Sequence, residues 1–84
     1  MKHATGPALD QLEPLLAAVR TRAALKEKSR GAFYCRSQSL LHFHEDPKGL
    51  FADLRVGDDW RRFPVNSKTE QAALLKALDA RLSA

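Results

Sequence analysis

Two closely spaced histidines are the residues of this chain best suited to chemistry. His42 and His44 alternate within LHFHEDPKGLFADLR, residues 41–55, so on a β-strand both side chains would project from one face. Asp53 follows a turn and is the nearest further carboxylate beyond the hairpin tip. Two imidazoles and a carboxylate can bind zinc or iron(II) with coordination positions left open. The alternative is a pair of half-exposed surface histidines, with His42 contacting Asp53 across the strands.

The sequence favours the second alternative, because only one further histidine exists, His3, in a segment that we expect to fray. Catalysis has even less support. Cys35 beside Arg36 resembles an activated thiol, but a lone cysteine between aromatic residues is more often a small buried apolar group. No glycine-rich phosphate loop is present. We therefore expect a protein that is not an enzyme and carries no cofactor.

Basic residues form a second group of candidates. The net charge is +4, a weak indication of polyanionic partners. Trp60 with Arg55 and Arg62 adds residue types that stack on bases and are enriched at protein interfaces. These residues predict a nucleic-acid or partner-binding surface, whereas solvated surface charge is the simpler interpretation. The basic run consists of Arg20, Arg22, Lys26, Lys28, Arg30 and Arg36, opposed only by Glu27.

Two helices are predicted to flank the sheet that would position these side chains. The first has an apolar stripe and is predicted to end at Ser29–Gly31; Thr5 or Asp10 can cap its start. The second is predicted over residues 67–82, because Ser67 and Glu70 form a capping box ahead of a leucine-rich face. The stripe of the first helix consists of Leu9, Leu12, Leu16, Val19 and Ala23, widened by Leu15 and Leu25.

Between the helices the apolar period changes to two, which predicts four short strands. Their ranges are 32–36, 40–45, 50–56 and 60–65, and turns are predicted at 46–49 and 57–59. An even-membered first turn places Glu45 opposite Leu50 and His42 opposite Asp53. An even-membered second turn places Val56 opposite Arg61.

This register separates an apolar face from a mixed one, whereas a one-residue slip would combine them. The helices are predicted to cover the apolar face and to leave the mixed face open. The apolar face would contain Leu41, Phe43, Ala52, Leu54, Val56, Phe63 and Val65. The mixed face would contain His42, His44, Phe51, Asp53, Arg55, Trp60 and Arg62.

The sequence thus predicts one α+β domain, a two-layer sandwich of order α-β-β-β-β-α with a four-stranded antiparallel sheet and both helices on one face. Residues 1–6 are expected to fray. From the stretch LKEKSRGAFYCRSQSLLHFHEDPKGLFADLRV and the order of its elements, the chain resembles the small MmcQ/YjbR-like proteins over residues 25–80. The resemblance implies an α+β fold and favours DNA binding.

Partners and location follow from the same features. The open face predicts a homodimer or nucleic-acid contact. The chain has no run of about 20 apolar residues and no apolar signal region, so we expect no membrane association. Its single cysteine fits a cytoplasmic location.

Overall fold

The computed structural model describes all 84 residues and contains an antiparallel sheet and three helices. The α+β class is confirmed, but the sheet has more strands than the four predicted. Its strand order is β2-β3-β4-β5-β6, and β1 pairs with the far end of β4. In chain order the elements are β1 (Lys2–His3), α1 (Gly6–Gln11), α2 (Glu13–Arg20), β2 (Lys26–Ser29), β3 (Ala32–Cys35), β4 (Gln38–Asp46), β5 (Gly49–Val56), β6 (Asp59–Pro64) and α3 (Lys68–Ser83).

The predicted long first helix is wrong in two places. It is interrupted at Leu12, which separates α1 from α2, and Pro14 occupies the first turn of α2. A proline inside a continuous helix would remove a hydrogen bond and clash with the preceding turn, so a new helix begins there instead. The chain leaves α2 after Arg20, and KEKS forms the edge strand β2. Pairing with β3 provides the hydrogen bonds that a longer helix would have made.

The hairpin of β4 and β5 has the predicted register. His42 pairs with Asp53, Glu45 with Leu50, and Asp46 with Gly49. The turn is stabilised by Asp46, whose Oδ1 accepts a hydrogen bond from the Lys48 amide at 3.0 Å. Gly49 has φ +135°, a conformation that L side chains rarely adopt.

The next hairpin has the predicted faces but a register two residues away from the predicted one. Val56 pairs with Asp59 instead of Arg61, because the turn contains only Gly57 and Asp58. Gly57 has the positive φ that such tight hairpin turns require. A shift by two preserves the inward and outward alternation, so every side chain remains on its predicted face.

The N-terminal segment, which the sequence predicts to fray over residues 1–6, pairs with β4 in the structure. Lys2 and His3 pair with Glu45 and His44 of β4, and the Ala4 amide donates to the Phe43 carbonyl at 3.0 Å. Thr5 donates from both its amide and its hydroxyl to Glu45, at 2.9 and 3.0 Å. The Thr5 hydroxyl therefore does not cap α1.

The apolar side chains of the helices and of one sheet face form a single core. Leu41, Ala52 and Leu54 are fully buried, whereas Val56 at the hairpin end is 46% exposed. The predicted capping box of α3 is confirmed, since Ser67 and Glu70 exchange hydrogen bonds. None of the helices has the length and apolar character that a membrane crossing requires.

Candidate functional site

Three histidines from two strands meet on the sheet face opposite the core. His42 and His44 project from β4, and His3 lies opposite His44 on β1. The ring centroids are 4.7 Å apart for His3 and His44, 4.8 Å for His42 and His44, and 5.4 Å for His3 and His42. Each residue offers one ring nitrogen, and the three nitrogens lie within 4.8 Å of one another. We call His3, His42 and His44 the histidine cluster.

Several ring nitrogens of the histidine cluster are buried and have no hydrogen-bond partner. They are Nδ1 of His42 and both nitrogens of His44. Burial, followed by the effect of the neighbouring His44, lowers the pKa of His42 below its usual value. At neutral pH this favours the uncharged imidazole, which is the form that ligates metals.

Asp53, the predicted carboxylate ligand of a metal site, is not among the side chains that converge. Its carboxylate accepts two hydrogen bonds of 2.8 Å from the guanidinium of Arg62, and the ligand atoms that converge do not include it. The Arg62 hydrogen bonds hold the pKa of Asp53 below its ordinary range. Oδ2 of Asp53 is also 3.2 Å from Nε2 of His44, without the alignment of a hydrogen bond. Asp53 is thus a neighbour of the histidine cluster, and His3 is the third candidate ligand.

Trp60 forms one wall beside the histidine cluster. Its ring lies 4.6 Å from that of His42, and the guanidinium of Arg55 lies 4.4 Å from it on the ring face. Arg55 also donates to the Ser39 carbonyl at 2.8 Å. Trp60 faces Arg55 across the strands, whereas Phe51 faces Pro64 at the other end of β6. Phe51 and Trp60, both assigned to the mixed face, therefore lie at opposite ends of the pairing between β5 and β6.

Most arginines of the basic run are paired with carboxylates within the chain. Arg20 contacts Glu13 at 2.7 Å and Glu27 at 2.6 Å, and these hydrogen bonds raise the pKa of Arg20. Arg30 bridges Asp10 and Glu13.

Of the remaining residues of the run, one forms an ion pair with α3 and three have no carboxylate partner. Arg22 is paired with Asp79 of α3 at 3.0 Å. Lys28 lies 4.4 Å above the ring of Tyr34. Lys26 and Arg36 have no carboxylate partner. The run therefore presents less free positive charge than its sequence suggests.

Cys35 is a free thiol that packs against the core. It lies outside the group of converging ligand atoms. The following residues, Arg36 and Ser37, form the turn with φ +53° and +68°.

Sequence reasoning missed the position of His3, because nothing in MKHATG by itself indicates pairing with a strand forty residues away. The only available signal joins the two segments: Lys2-His3 and His44-Glu45 carry charge and imidazole in opposite order along the chain. Antiparallel pairing therefore places unlike charges and like rings opposite each other.

No family model, curated protein or solved structure matches this chain. The resemblance to MmcQ/YjbR-like proteins therefore stays a prediction, and arguments about function depend on the site itself.

Proposed function

We propose that this protein binds a divalent transition-metal ion through His3, His42 and His44. The carrying observation is a group of buried ring nitrogens without partners, Nδ1 of His42 and both nitrogens of His44, on rings whose ligand atoms converge with that of the exposed His3. A buried polar atom without a partner costs about 1–3 kcal/mol, and native proteins contain few of them. An ion bound to two of these rings would satisfy nitrogens that are otherwise unpaired.

The geometry is close to that of a three-histidine site. Zinc–nitrogen bonds of about 2.0 Å in a tetrahedron place the ligand atoms roughly 3.3 Å apart. The histidine cluster spans at most 4.8 Å, so the widest pair must close by about 1.5 Å, a distance within the range of side-chain rotation. Three protein ligands leave a fourth position for another molecule.

The donor set supports zinc, copper or nickel over magnesium or calcium, because neutral imidazoles suit the former ions and oxygen ligands suit the latter. Asp53 lies next to the site. In many metal sites a carboxylate accepts a hydrogen bond from the second nitrogen of a ligating histidine, and Oδ2 of Asp53 is 3.2 Å from Nε2 of His44, close to that position. Arg62 in turn holds Asp53 in place through two hydrogen bonds.

Isothermal titration calorimetry with Zn²⁺, Ni²⁺ and Mg²⁺ on metal-free protein tests this proposal. We expect one equivalent of Zn²⁺ or Ni²⁺ to bind and Mg²⁺ to give no heat. His42→Ala and His44→Ala should each abolish the binding. X-ray absorption on the zinc-loaded protein should show three imidazole ligands.

The matched control is Cys35→Ser, which removes the only other strong zinc ligand on the chain and should leave the affinity unchanged. Loss of binding in this variant, with binding retained after His42→Ala, would contradict the assignment of the histidine cluster.

The same open face supports a second candidate function, self-association. Trp60 is 39% exposed, and large exposed aromatic residues are enriched where partners bind. Nucleic-acid binding by the basic run also stays a prediction, although the ion pairs of Arg20, Arg22 and Arg30 compete with phosphate contacts. A non-enzymatic role and a cytoplasmic location are further predictions.

A further inference from the structure

A cleft opens beside the histidine cluster, where β4 changes partners. Residues 38–41 of β4 pair with β3, and residues 44–45 pair with β1. The gap between β3 and β1 forms a cleft of about 410 Å³, a size within the usual range for small-molecule sites. Two members of the histidine cluster, His3 and His42, line it.

We infer that this cleft binds a small organic carboxylate, one oxygen of which completes the coordination of the metal ion held by the histidine cluster. The inference rests on the proposed function. It adds the chemical class of the ligand and the residues that recognise it.

A metal ion bound to the histidine cluster would need a counter-charge. Three neutral imidazoles leave a bound divalent ion with its full charge of +2, and charge that is partly withdrawn from water is costly without a counterion. No carboxylate lines the cleft. The one buried carboxylate of the chain, Asp53, is already paired with Arg62 at 2.8 Å. An anion from outside the chain is therefore the group that this site lacks.

The walls of the cleft combine apolar side chains with hydroxyl groups. Leu9, Phe43 and Ala32 give the cleft an apolar part, and Tyr34 and Ser39 add hydroxyl groups. An apolar wall favours an anion with a hydrocarbon portion over inorganic phosphate, which would leave that surface uncovered. The hydroxyls can donate to the second carboxylate oxygen. A carboxylate with a short apolar body matches both halves of the cleft.

The experiment uses the full chain loaded with Co²⁺, whose visible absorption reports on its ligands. Calorimetry first establishes that one equivalent of Co²⁺ binds. Acetate, benzoate and inorganic phosphate are then titrated into the loaded protein. We expect benzoate to change the cobalt spectrum at a concentration at least tenfold lower than acetate or phosphate.

Two variants localise the ligand. Ala32→Leu fills the cleft from β3 and should weaken benzoate at least tenfold with Co²⁺ affinity unchanged. Tyr34→Phe, which keeps the ring and removes one hydroxyl, should weaken benzoate several-fold and serves if Ala32→Leu does not fold. Ser83→Ala removes a hydroxyl from the end of α3 and should change neither measurement.

The outcomes separate the two proposals. Stoichiometric Co²⁺ binding with a spectrum that no carboxylate changes overturns the cleft inference and leaves metal binding intact. A preference for phosphate over benzoate, or benzoate affinity unaltered by the cleft variants, also overturns it. If Co²⁺ does not bind, the proposed function fails, and the cleft inference fails with it.

Discussion

His3 lies directly opposite His44, and their imidazole rings stack with centroids 4.7 Å apart. One ring comes from a two-residue strand near the N-terminus and the other from the longest strand of the sheet. A metal ion that joins them would also hold the N-terminal segment against β4, so metal binding and local order should be coupled.

His3→Ala should remove metal-dependent stabilisation without unfolding the protein, because His3 is exposed and β1 contributes only two residues to the sheet. A ligand at 100 times its Kd stabilises a protein by about 2.7 kcal/mol, about 10 °C or more in Tm for a domain of this size. Thermal melts with and without Zn²⁺ should show this rise in the wild type and lose it in His3→Ala. Lys2→Ala, on the same strand, should retain it; an equal rise in His3→Ala would exclude His3 as a ligand.

Asp53→Asn should destabilise the metal-free protein by about 1–3 kcal/mol at pH 7, because it replaces a charge-assisted pair with Arg62 in a buried position. The pKa of Asp53 is lowered in the folded state, so its stabilisation is present above the unfolded pKa of about 3.9. That stabilisation is lost as the pH falls through the lower, folded value. Urea unfolding should be measured from pH 7 to pH 2. The difference in the free energy of unfolding between wild type and Asp53→Asn should become smaller as the pH falls. A constant gap would mean that the carboxylate charge is not the cause.

Leu54→Ala should lower the free energy of unfolding by about 2–5 kcal/mol, because Leu54 is fully buried opposite Leu41 in the core. Val56→Ala is the matched control: it lies two residues along the same strand, but its side chain is 46% exposed. Chemical denaturation should show a change of at most about 0.5 kcal/mol for this control. Similar costs for both variants would contradict the observed assignment of the core face.

Trp60→Glu tests whether the open face mediates self-association. If Trp60 is the anchor, sedimentation equilibrium should give a dimer for the wild type at high concentration and a folded monomer for the variant. Arg61→Glu introduces the same side chain at the neighbouring position on β6, on the other face of the sheet, and should stay dimeric. A wild type that remains monomeric at millimolar concentration would exclude this interface.

The sequence by itself determined the elements whose signals are local. The turn of Asp46-Pro47-Lys48-Gly49 and the strict alternation on either side specify the β4–β5 register, and with it the pairing of His42 with Asp53. The capping box of Ser67 and Glu70 specifies the start of α3. In each case a few neighbouring residues carry the information, and a shift by one residue would expose the core.

The tertiary structure alone decided the contacts between distant segments. Both registers of β6 place the same side chains on the same faces, so the apolar pattern does not distinguish them. The observed register results from the two-residue turn of Gly57 and Asp58. KEKS has a good helix propensity but forms a strand, because the neighbouring strand β3 provides backbone hydrogen-bond partners. The sequence of KEKS alone does not indicate that these partners are present. His3 joined His44 because β4 extends beyond β3 and leaves backbone groups that need partners. The match of Lys2-His3 to His44-Glu45 is too short to specify this pairing by itself, so the third histidine joins the cluster only when the sheet is assembled.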